Sequence, residues 1–288
     1  MHDRDSTALE MFIDYQRAQN LAATTIRNRR SILTTFARKT GMLVDCDVFT
    51  LRRYIGRDEA ISAGTRRTER GALLAFFTFL HDEGLRDDNP AKKLPIVRVP
   101  MGKPRPFTPE QIDAMLSSGA YTKTRAMILL GYYQGFRVSS IARVHGQDID
   151  LTSKTIATTV KGGEDHRLPL HDVIAALATK MPVDGYWFPA RDGAGGHIRP
   201  SSVTDLITKA KIRAGILDPK LTPHSLRHAF GTDLVESGVD IRVVQELLVH
   251  AHLSTTRIYT GVSDRIKQEG ITSLTSRSIP ERSGRRAA

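Results

Sequence analysis

Residues 89–106 contain five prolines, at positions 90, 95, 100, 104 and 106, and this segment constrains the fold more than any other part of the chain. Proline fixes its own φ angle and lacks the backbone N–H that a helix interior or a central strand needs. Five lysines and arginines lie among these prolines. We therefore predict an extended, basic linker at 89–106 that separates two independently folded domains.

Residues 1–88 have the apolar spacing of helices. Thr7 and Glu10 are placed as a capping box for a first helix that begins near Thr7, and Gly41 is a typical end for the second helix. The fourth helix begins with the strongly basic stretch "GTRRTERG". We predict a small helical domain at 1–88.

The second domain is predicted at 107–274. Thr108, Pro109 and Gln111 supply a cap, a first-turn proline and a capping-box partner for its first helix. The sequences "KTIATTV" and "HRLPL", separated by "KGGED", have the pattern of a β-hairpin, and helical patterns resume near Asp172. The predicted fold class is therefore mainly α with a small β-sheet. Residues 275–288 lack apolar periodicity, and we predict that they form a disordered tail.

The chain carries a formal net charge of +11 and has a sequence pI near 9.9, which favours a polyanionic partner such as nucleic acid. It has no stretch of about 18 uncharged apolar residues, and its start lacks the basic-then-apolar order of a signal peptide. We expect a cytoplasmic protein with no membrane partner. The single cysteine, Cys46, excludes a disulfide within the chain.

Six residues of the second domain supply the groups needed to cut and rejoin a phosphodiester: Arg137, Lys161, His224, Arg227, His250 and Tyr259. Guanidinium groups bind two phosphate oxygens at once, and a phenol can act as the nucleophile when nearby cations lower its pKa from about 10. The sequence shows no metal-binding motif at these residues. His224 and His228 are four positions apart, as in an HExxH zinc motif, but Ser225 stands where that motif has glutamate. We expect no metal and no other cofactor.

Each of these residues also fits an ordinary structural role. Arg227 could bridge a surface carboxylate such as Asp233, Tyr259 could be a half-buried core residue, and Lys161 could be a solvated turn residue. His224, just after a proline, could be an ordinary residue at a helix start. The residue types alone leave both interpretations open.

The order and spacing of the six residues resemble the Arg, Lys, His-x-x-Arg, His, Tyr signature of tyrosine recombinases, the phage integrase family. The run "TPHSLRHAFGTDLVESGVDIRVVQELLVHAHLSTTRIYT" is similar to that family's C-terminal block over its whole length. The stretches "LLGYYQGFRVSSIARVHGQDID" and "VKGGEDHRLPL" also resemble family segments. Residues 1–88 match only in pattern, as a core-type DNA-binding domain ahead of an α+β catalytic domain.

The resemblance implies a role for each member of the signature. Tyr259 would attack the scissile phosphate, giving a 3′-phosphotyrosine and a free 5′-hydroxyl, while Arg137 and Arg227 would hold the non-bridging oxygens. Lys161 would protonate the departing 5′-oxygen. The first histidine of the signature would assist proton removal from the phenol, and the second would hydrogen-bond the phosphate. Strand exchange would need neither ATP nor a metal.

The chain departs from the family pattern at three positions. Ser140 replaces a common acidic residue three positions after Arg137, Val249 replaces a glycine, and Glu164 replaces a basic residue. None of these changes removes a catalytic group. We expect the loss of the acid at position 140 to leave Arg137 less firmly oriented.

Basic residues cluster at the starts of two N-terminal helices. As candidate DNA contacts we take Arg27, Arg29, Arg30, Arg66, Arg67 and Arg70. The alternative is a solvated helix face without a ligand. If these side chains contact phosphates, binding will weaken steeply with salt.

The resemblance implies double-stranded DNA, at attachment or core sites, as the substrate of four protomers that assemble on two duplexes. It also implies association with the nucleoid. The segment "SDRIKQEGITSL", which follows Tyr259, either docks on a neighbouring protomer or packs within its own chain. The sequence does not choose between these two arrangements.

The predicted function is site-specific DNA recombination, with integration and excision of a phage or mobile element as the favoured role. The alternatives are a Xer-type resolvase of chromosome or plasmid dimers, a catalytically inactive DNA-bridging protein or repressor, and a type IB topoisomerase that acts without a preferred site. Because the first helix is predicted to begin near Thr7, we expect no additional arm-binding domain ahead of it.

Overall fold

The computed structural model describes residues 3–100, 105–159, 165–190, 195–248 and 264–274. The chain divides into two compact units, Met1–Gly102 and Lys103–Ala288, which we call the first and second unit. Within the described ranges, none of the helices is both long and apolar enough to cross a membrane.

The first unit is helical. Its elements are α1 (Asp3–Ala18), α2 (Ala23–Thr40), α3 (Val48–Ile55), α4 (Ala63–Asp82) and a short 3-10 helix at Pro90–Lys93. The apolar faces of the helices meet in one core that includes Phe12, Phe36 and Phe76. Helix α2 ends as predicted, because Gly41 adopts a left-handed φ of 77° and its N–H donates to the carbonyl of Ala37.

Helix α1 begins earlier than its predicted capping box. It starts at Asp3, and the hydroxyl of Thr7 donates to the carbonyl of Asp3 at 2.9 Å. Threonine often makes this bond to the preceding turn inside a helix. The prediction that Thr7 caps the helix was therefore wrong.

The start of the proline-rich segment is folded onto the first unit, which differs from the extended linker predicted from residue 89. Asn89 caps the 3-10 helix by accepting from the N–H of Lys92, and Ala91 and Leu94 are buried in the helical core. A proline in the first turn is compatible with a helical start because its missing N–H has no partner there. Residues 95–100, 105 and 106 are in neither helix nor strand.

The second unit is mainly α with a small sheet, as predicted. Its helices are α5 (Pro109–Ser117), α6 (Thr122–Tyr133), α7 (Val138–Arg143), α8 (Asp172–Ala178), α9 (Pro200–Arg213), α10 (His224–Glu236), α11 (Ile241–Leu247) and α12 (Asp264–Thr272), with a 3-10 turn at Gly146–Asp148. The strands β1 (Ile149–Asp150), β2 (Thr155–Thr159) and β3 (Asp165–Pro169) form an antiparallel sheet in that order. The predicted hairpin is β2–β3, whereas the two-residue strand β1 was not predicted.

Helix α6 is the centre of the second unit. Every residue from Ala126 to Tyr133 is buried, and the helix packs against α8, α9 and α10. Contact with α10 is close at Gly131, where an added Cβ would lie 3.0 Å from Cδ1 of Leu226. A helix that is apolar on all sides is buried in a core. The close contact at Gly131 places the C-terminal end of α6 beside α10.

The C-terminal segment packs within its own chain. Helix α12 contacts α11 and β3, and Ile271 and Leu274 are buried. An added Cβ at Gly270 would lie 3.2 Å from Cγ1 of both Val239 and Val243, so the helix approaches α11 closely. Residues 264–274 are thus docked on the second unit.

Candidate active site

Arg137 is presented by a tight turn between α6 and α7. Gly135 has φ 61°, in the left-handed region that favours glycine, and an added Cβ would lie 2.6 Å from Cδ1 of Phe230. The turn makes Arg137 the N-cap residue of α7 and leaves its side chain half-buried. The turn therefore separates α6 from α7.

Gln134 fastens this turn to the end of strand β3. Its side chain is only 2% exposed, and its Nε2 donates to the carbonyl of Pro169 at 3.0 Å. Its Oε1 accepts from the backbone N–H of His171 at 2.9 Å. Gln134 was not among the predicted site residues. The only feature of the sequence that could have indicated its role is its position just before Gly135, Phe136 and Arg137.

Arg227 lies one helical turn after His224 on α10 and is only 7% exposed. Its Nη1 donates to the carbonyl of Gly135 at 2.6 Å, and its Nη2 donates to the carbonyl of Leu248. The guanidinium therefore joins α10 to the turn before Arg137 and to the end of α11. Two of its five N–H groups are used in this way among the described residues.

The alternative in which Arg227 bridges Asp233 is wrong. The carboxylate of Asp233 accepts a hydrogen bond of 2.5 Å from the phenol of Tyr132 instead. Within the described parts of the chain, Arg227 pairs with no carboxylate. In the part of the chain that the structure describes, its charge is buried against backbone carbonyls.

The electrostatics of Arg227 indicate a site for an anion. Burial, and then the nearby positive charge of Arg137, lower the pKa of Arg227 to about 9, so the group is still charged at neutral pH. The positive charges of Arg227 and Arg137 repel each other, and an anion bound near them would offset this repulsion. A phosphate with two non-bridging oxygens fits two guanidinium groups.

His224 is the first residue of α10 and is exposed. Its ring meets the ring of His228 edge to face, with centroids 4.6 Å apart. Burial and the charge of Arg227 lower the pKa of His228, which favours a neutral ring at that position.

Lys211 holds the loop that leads to His224. Its side chain is 6% exposed, and its Nζ donates to the carbonyl of Asp218 at 2.7 Å and to that of Leu221 at 3.0 Å. This residue was not predicted from the sequence either. The sequence feature that could have indicated its role is its place on the apolar face of α9, which also includes Val203, Ile207 and Ala210.

Of the predicted catalytic set, the structure places Arg137 beside Arg227, and His224 lies one helical turn before Arg227 on α10. The other three, Lys161, His250 and Tyr259, lie outside the described residues. His250 follows Leu248, whose carbonyl binds Arg227, by two positions in the sequence. Among the residues that the structure describes, no group of three or more histidines, cysteines and acids could hold a metal ion.

The predicted DNA contacts lie in the first unit, on α2 and α4. An open groove between these helices is lined by both polar and apolar residues: Thr24, Thr25, Asn28, Arg29, Ile32, Thr68, Gly71 and Ala72. Hydroxyl, amide and guanidinium groups are the side chains that contact phosphates and base edges. One of the six predicted arginines, Arg29, is part of this lining.

The six arginines differ in their contacts. Arg30 pairs with Glu10 at 2.7 Å and Arg29 donates to Gln16 at 3.1 Å. Arg66 donates to the carbonyls of Asp58 and Ile61, and Arg70 donates to that of Leu94. The remaining two, Arg27 and Arg67, are exposed and make no hydrogen bond within the described ranges. They are the pair most available to a ligand.

Comparison with known proteins identifies the family. Residues 105–265 match the model of the phage integrase family. The tyrosine recombinase XerD of Caulobacter vibrioides is 32% identical over 241 residues, which cover 77% of this chain and 79% of the relative. The structure of the integrase from mycobacterium phage Brujita is 38% identical, has a TM-score of 0.55 and covers 93% of this chain and 92% of its own.

A more distant structure shares the fold. The lambda integrase tetramer bound to a Holliday junction has a TM-score of 0.69 at 17% identity, over 87% of this chain and 75% of that one. The family match spans more than half of the sequence and includes the paired Arg137 and Arg227. This chain therefore belongs to the phage integrase family and is a tyrosine recombinase, an enzyme that cleaves and rejoins DNA.

Proposed function

We propose that this recombinase integrates and excises a phage or other mobile element by site-specific strand exchange. The observation that carries the proposal is that the buried guanidinium of Arg227, which pairs with no carboxylate among the described residues, lies beside Arg137. Such a pair is suited to the negative charge that grows on a phosphate as it is attacked. Residues 107–274 would form the catalytic domain and residues 1–88 a core-type DNA-binding domain.

Cleavage proceeds by attack of the Tyr259 phenolate on the scissile phosphorus. The P–O bond to the 5′-oxygen breaks as the P–O bond to tyrosine forms, and the product is a 3′-phosphotyrosine. Arg137 and Arg227 hold the non-bridging oxygens, and Lys161 gives a proton to the departing 5′-oxygen. Resealing reverses these steps, so the bond energy is conserved.

The two histidines handle the remaining proton and the phosphate. His224, exposed at the start of α10, accepts the phenol proton. His250 donates a hydrogen bond to the phosphate. These roles rest on the match of the residues to the family signature, and no metal or cofactor takes part.

DNA binding by the first unit would use the starts of α2 and α4. Arg27 and Arg67 would contact phosphates, and the polar residues that line the groove between the helices would face the duplex. The lambda integrase of similar fold is a tetramer on a Holliday junction. By analogy, four copies of this chain would act on two duplexes, and the enzyme would be found with the nucleoid.

Both integrases and Xer-type recombinases are relatives of this chain. The phage Brujita integrase is 38% identical over 93% of the chain, whereas the XerD relative is 32% identical over 77% of it. The difference favours integration over the resolution of chromosome or plasmid dimers. Resolution is the second candidate, because the Xer-type match is still substantial.

The test is incubation of the protein with nicked suicide duplexes that carry candidate attachment sites. Denaturing electrophoresis followed by peptide mapping should find a covalent adduct at Tyr259, and a Tyr259→Phe variant should form none. Tight and specific binding without an adduct would support the DNA-bridging alternative. Relaxation of a supercoiled plasmid that lacks the site would indicate a topoisomerase instead.

The two biological roles are then separated by the choice of substrates. An integrase joins two different sites, one from the element and one from the host, whereas a resolvase recombines two identical sites. Plasmids that carry either pair, with recombinants scored by restriction mapping, distinguish the two. Efficient recombination of identical sites alone would overturn the integrase assignment.

A further inference from the structure

Gly71 lies in the interior of helix α4 and is exposed. Glycine inside a helix is less favourable than alanine, because it loses more conformational freedom on folding. The two usual reasons for a required glycine do not apply within the described residues. Its φ is not in the left-handed region, and an added Cβ would have no atom of another element within 4 Å. The internal packing of the first unit therefore leaves this glycine unexplained.

The position of Gly71 in the groove between α2 and α4 supplies a reason. Gly71 lines this groove on α4, and Arg29 lines it on α2. A residue without a side chain lets a ligand approach the backbone of its helix closely. The exposed Arg27 and Arg67, on the same two helices, favour an anionic ligand. Duplex DNA, on which a tyrosine recombinase acts, has this charge.

The side chain of Arg29 is oriented by a buried glutamine of α1. Gln16 is 0% exposed, its Oε1 accepts from Nη1 of Arg29 at 3.1 Å, and its Nε2 donates to the carbonyl of Phe12 at 3.2 Å. A guanidinium can only donate and a carbonyl can only accept, so these two bonds fix which end of the amide faces Arg29. Within the described ranges this is the one hydrogen bond that Arg29 makes. Four of its five N–H groups therefore remain for a ligand.

An oriented arginine is suited to reading a base. A contact with a phosphate tolerates a mobile side chain, whereas recognition of O6 and N7 of guanine by two parallel hydrogen bonds needs a planar fork at a fixed angle. The major groove displays both of these guanine atoms. Arg29 has the required restraint, while the exposed Arg27 lacks it.

We propose that Arg29 determines part of the site specificity by reading a guanine in the major groove of the recombination site. Gln16 is its positioning residue, and Gly71 leaves room for the edge of the base pair to enter the groove. The proposal rests on the DNA-binding role that the proposed function gives to the first unit, and it adds which side chain reads which base. Contacts with phosphates hold the duplex but carry no sequence information.

Selection of bound duplexes from a random library, followed by sequencing, tests Arg29 on the full chain. The wild type should select a G·C pair at one fixed position. Arg29→Ala should lose that preference, which is a fall of roughly 5- to 150-fold in discrimination at this base pair alone. Gln16→Leu, which keeps the arginine but removes its acceptor, should weaken the same preference and leave the other selected positions unchanged. Arg27→Ala is the matched control on α2, and it should weaken binding to all sequences alike.

A second substitution, Gly71→Ala, separates ligand binding from folding. It should raise the denaturation midpoint of the free protein, because alanine is the better helix former and the space around position 71 is open. It should also weaken binding to the selected duplex several-fold, because the methyl group occupies the groove that the base pair enters. Gly64→Ala adds a methyl group to the same helix outside the groove lining, 3.8 Å from the Ser62 hydroxyl, and should leave DNA affinity unchanged.

Several results would overturn the proposal. A wild-type consensus without a fixed G·C pair, or a G·C preference that survives Arg29→Ala, would exclude base reading by Arg29. Unchanged affinity in Gly71→Ala, or an equal loss in Gly64→Ala, would show that the duplex does not enter the groove. An adduct at Tyr259 together with any of these results refutes this inference alone. A wild type that neither selects a sequence nor forms an adduct refutes the proposed function as well.

Discussion

Arg227 donates a hydrogen bond of 2.6 Å to the backbone carbonyl of Gly135, which lies 92 residues earlier in the chain. This bond holds a buried guanidinium against the turn that leads to Arg137, and the two positive charges act on each other. A phosphate bound by both groups would relieve their repulsion. This hydrogen bond therefore connects the turn at Gly135 to the candidate phosphate site.

Replacing Gly135 with alanine should destabilise the second unit. The residue has φ 61°, and a Cβ would lie 2.6 Å from the ring of Phe230, so we expect a loss of about 2–5 kcal/mol in the free energy of unfolding. Gly215→Ala is the matched control, since Gly215 has φ 77° but open space around it and should lose only about 1–2 kcal/mol. Urea denaturation measures both, and equal losses would mean that the contact with Phe230 is unimportant.

Replacing Arg227 with lysine should nearly abolish adduct formation. Lysine keeps the charge but lacks the fork that binds carbonyls and phosphate together, so we expect a loss of roughly 100- to 1,000-fold in the single-turnover rate. DNA affinity should change little because the first unit provides separate contacts. Arg143→Lys, at an exposed position on α7, is the control. A rate within a few-fold of wild type would exclude a role for the guanidinium in the transition state.

Stability should decrease as the pH falls below about 6.5. Burial lowers the pKa of His171 from its ordinary value of 6.5, and burial together with Arg227 lowers that of His228. The unfolded chain therefore binds protons that the folded chain does not, so the free energy of unfolding rises with pH through this range. Denaturation midpoints between pH 5 and 8 measure the effect. The dependence should be weaker in His171→Asn, and an unchanged pH dependence would show that His171 does not contribute.

Restoring an acid at position 140 should speed cleavage. Ser140 is half-buried in the first turn of α7, and its N–H donates to the carbonyl of Arg137 at 2.9 Å. A carboxylate there would orient the guanidinium of Arg137, so we expect Ser140→Glu to form the adduct faster. Ser139→Glu adds the same charge one position away and serves as the control. No gain in rate, or an equal gain in both variants, would argue against an orienting acid.

Removing Arg27 or Arg67 should flatten the salt dependence of DNA binding. Each phosphate contact contributes about 0.9 to the slope of log K against log salt, so each alanine variant should reduce the slope by about that amount. Arg70→Ala should leave the slope unchanged and destabilise the first unit, because Arg70 holds the carbonyl of Leu94. Binding isotherms at several salt concentrations measure the slopes. A reduced slope for Arg70→Ala and none for Arg27→Ala would reverse the assignment.

Short-range chemistry allowed much of the fold to be predicted from the sequence. The capping box of Thr108 and Gln111, the end of α2 at Gly41 and the hairpin β2–β3 each depend on groups a few residues apart. The order of the catalytic signature could also be recognised in the sequence, because the family constrains the types and the spacing of these residues. The predictions that failed were also local. Thr7 does not cap α1 but bonds to the carbonyl of Asp3 within it, and β1 has only two residues, too few to show a strand pattern in the sequence.

The sequence by itself determined most of the helices, the β2–β3 hairpin and the residues that are candidates for catalysis. Tertiary structure alone decided that Arg227 binds Gly135 rather than Asp233, that Lys211 clamps the loop before His224, and that His171 binds Leu274. These partners lie on different elements, and most are backbone carbonyls, which every residue has and no sequence pattern marks. Packing around α6 brings them within hydrogen-bonding distance, and that packing depends on the whole second unit.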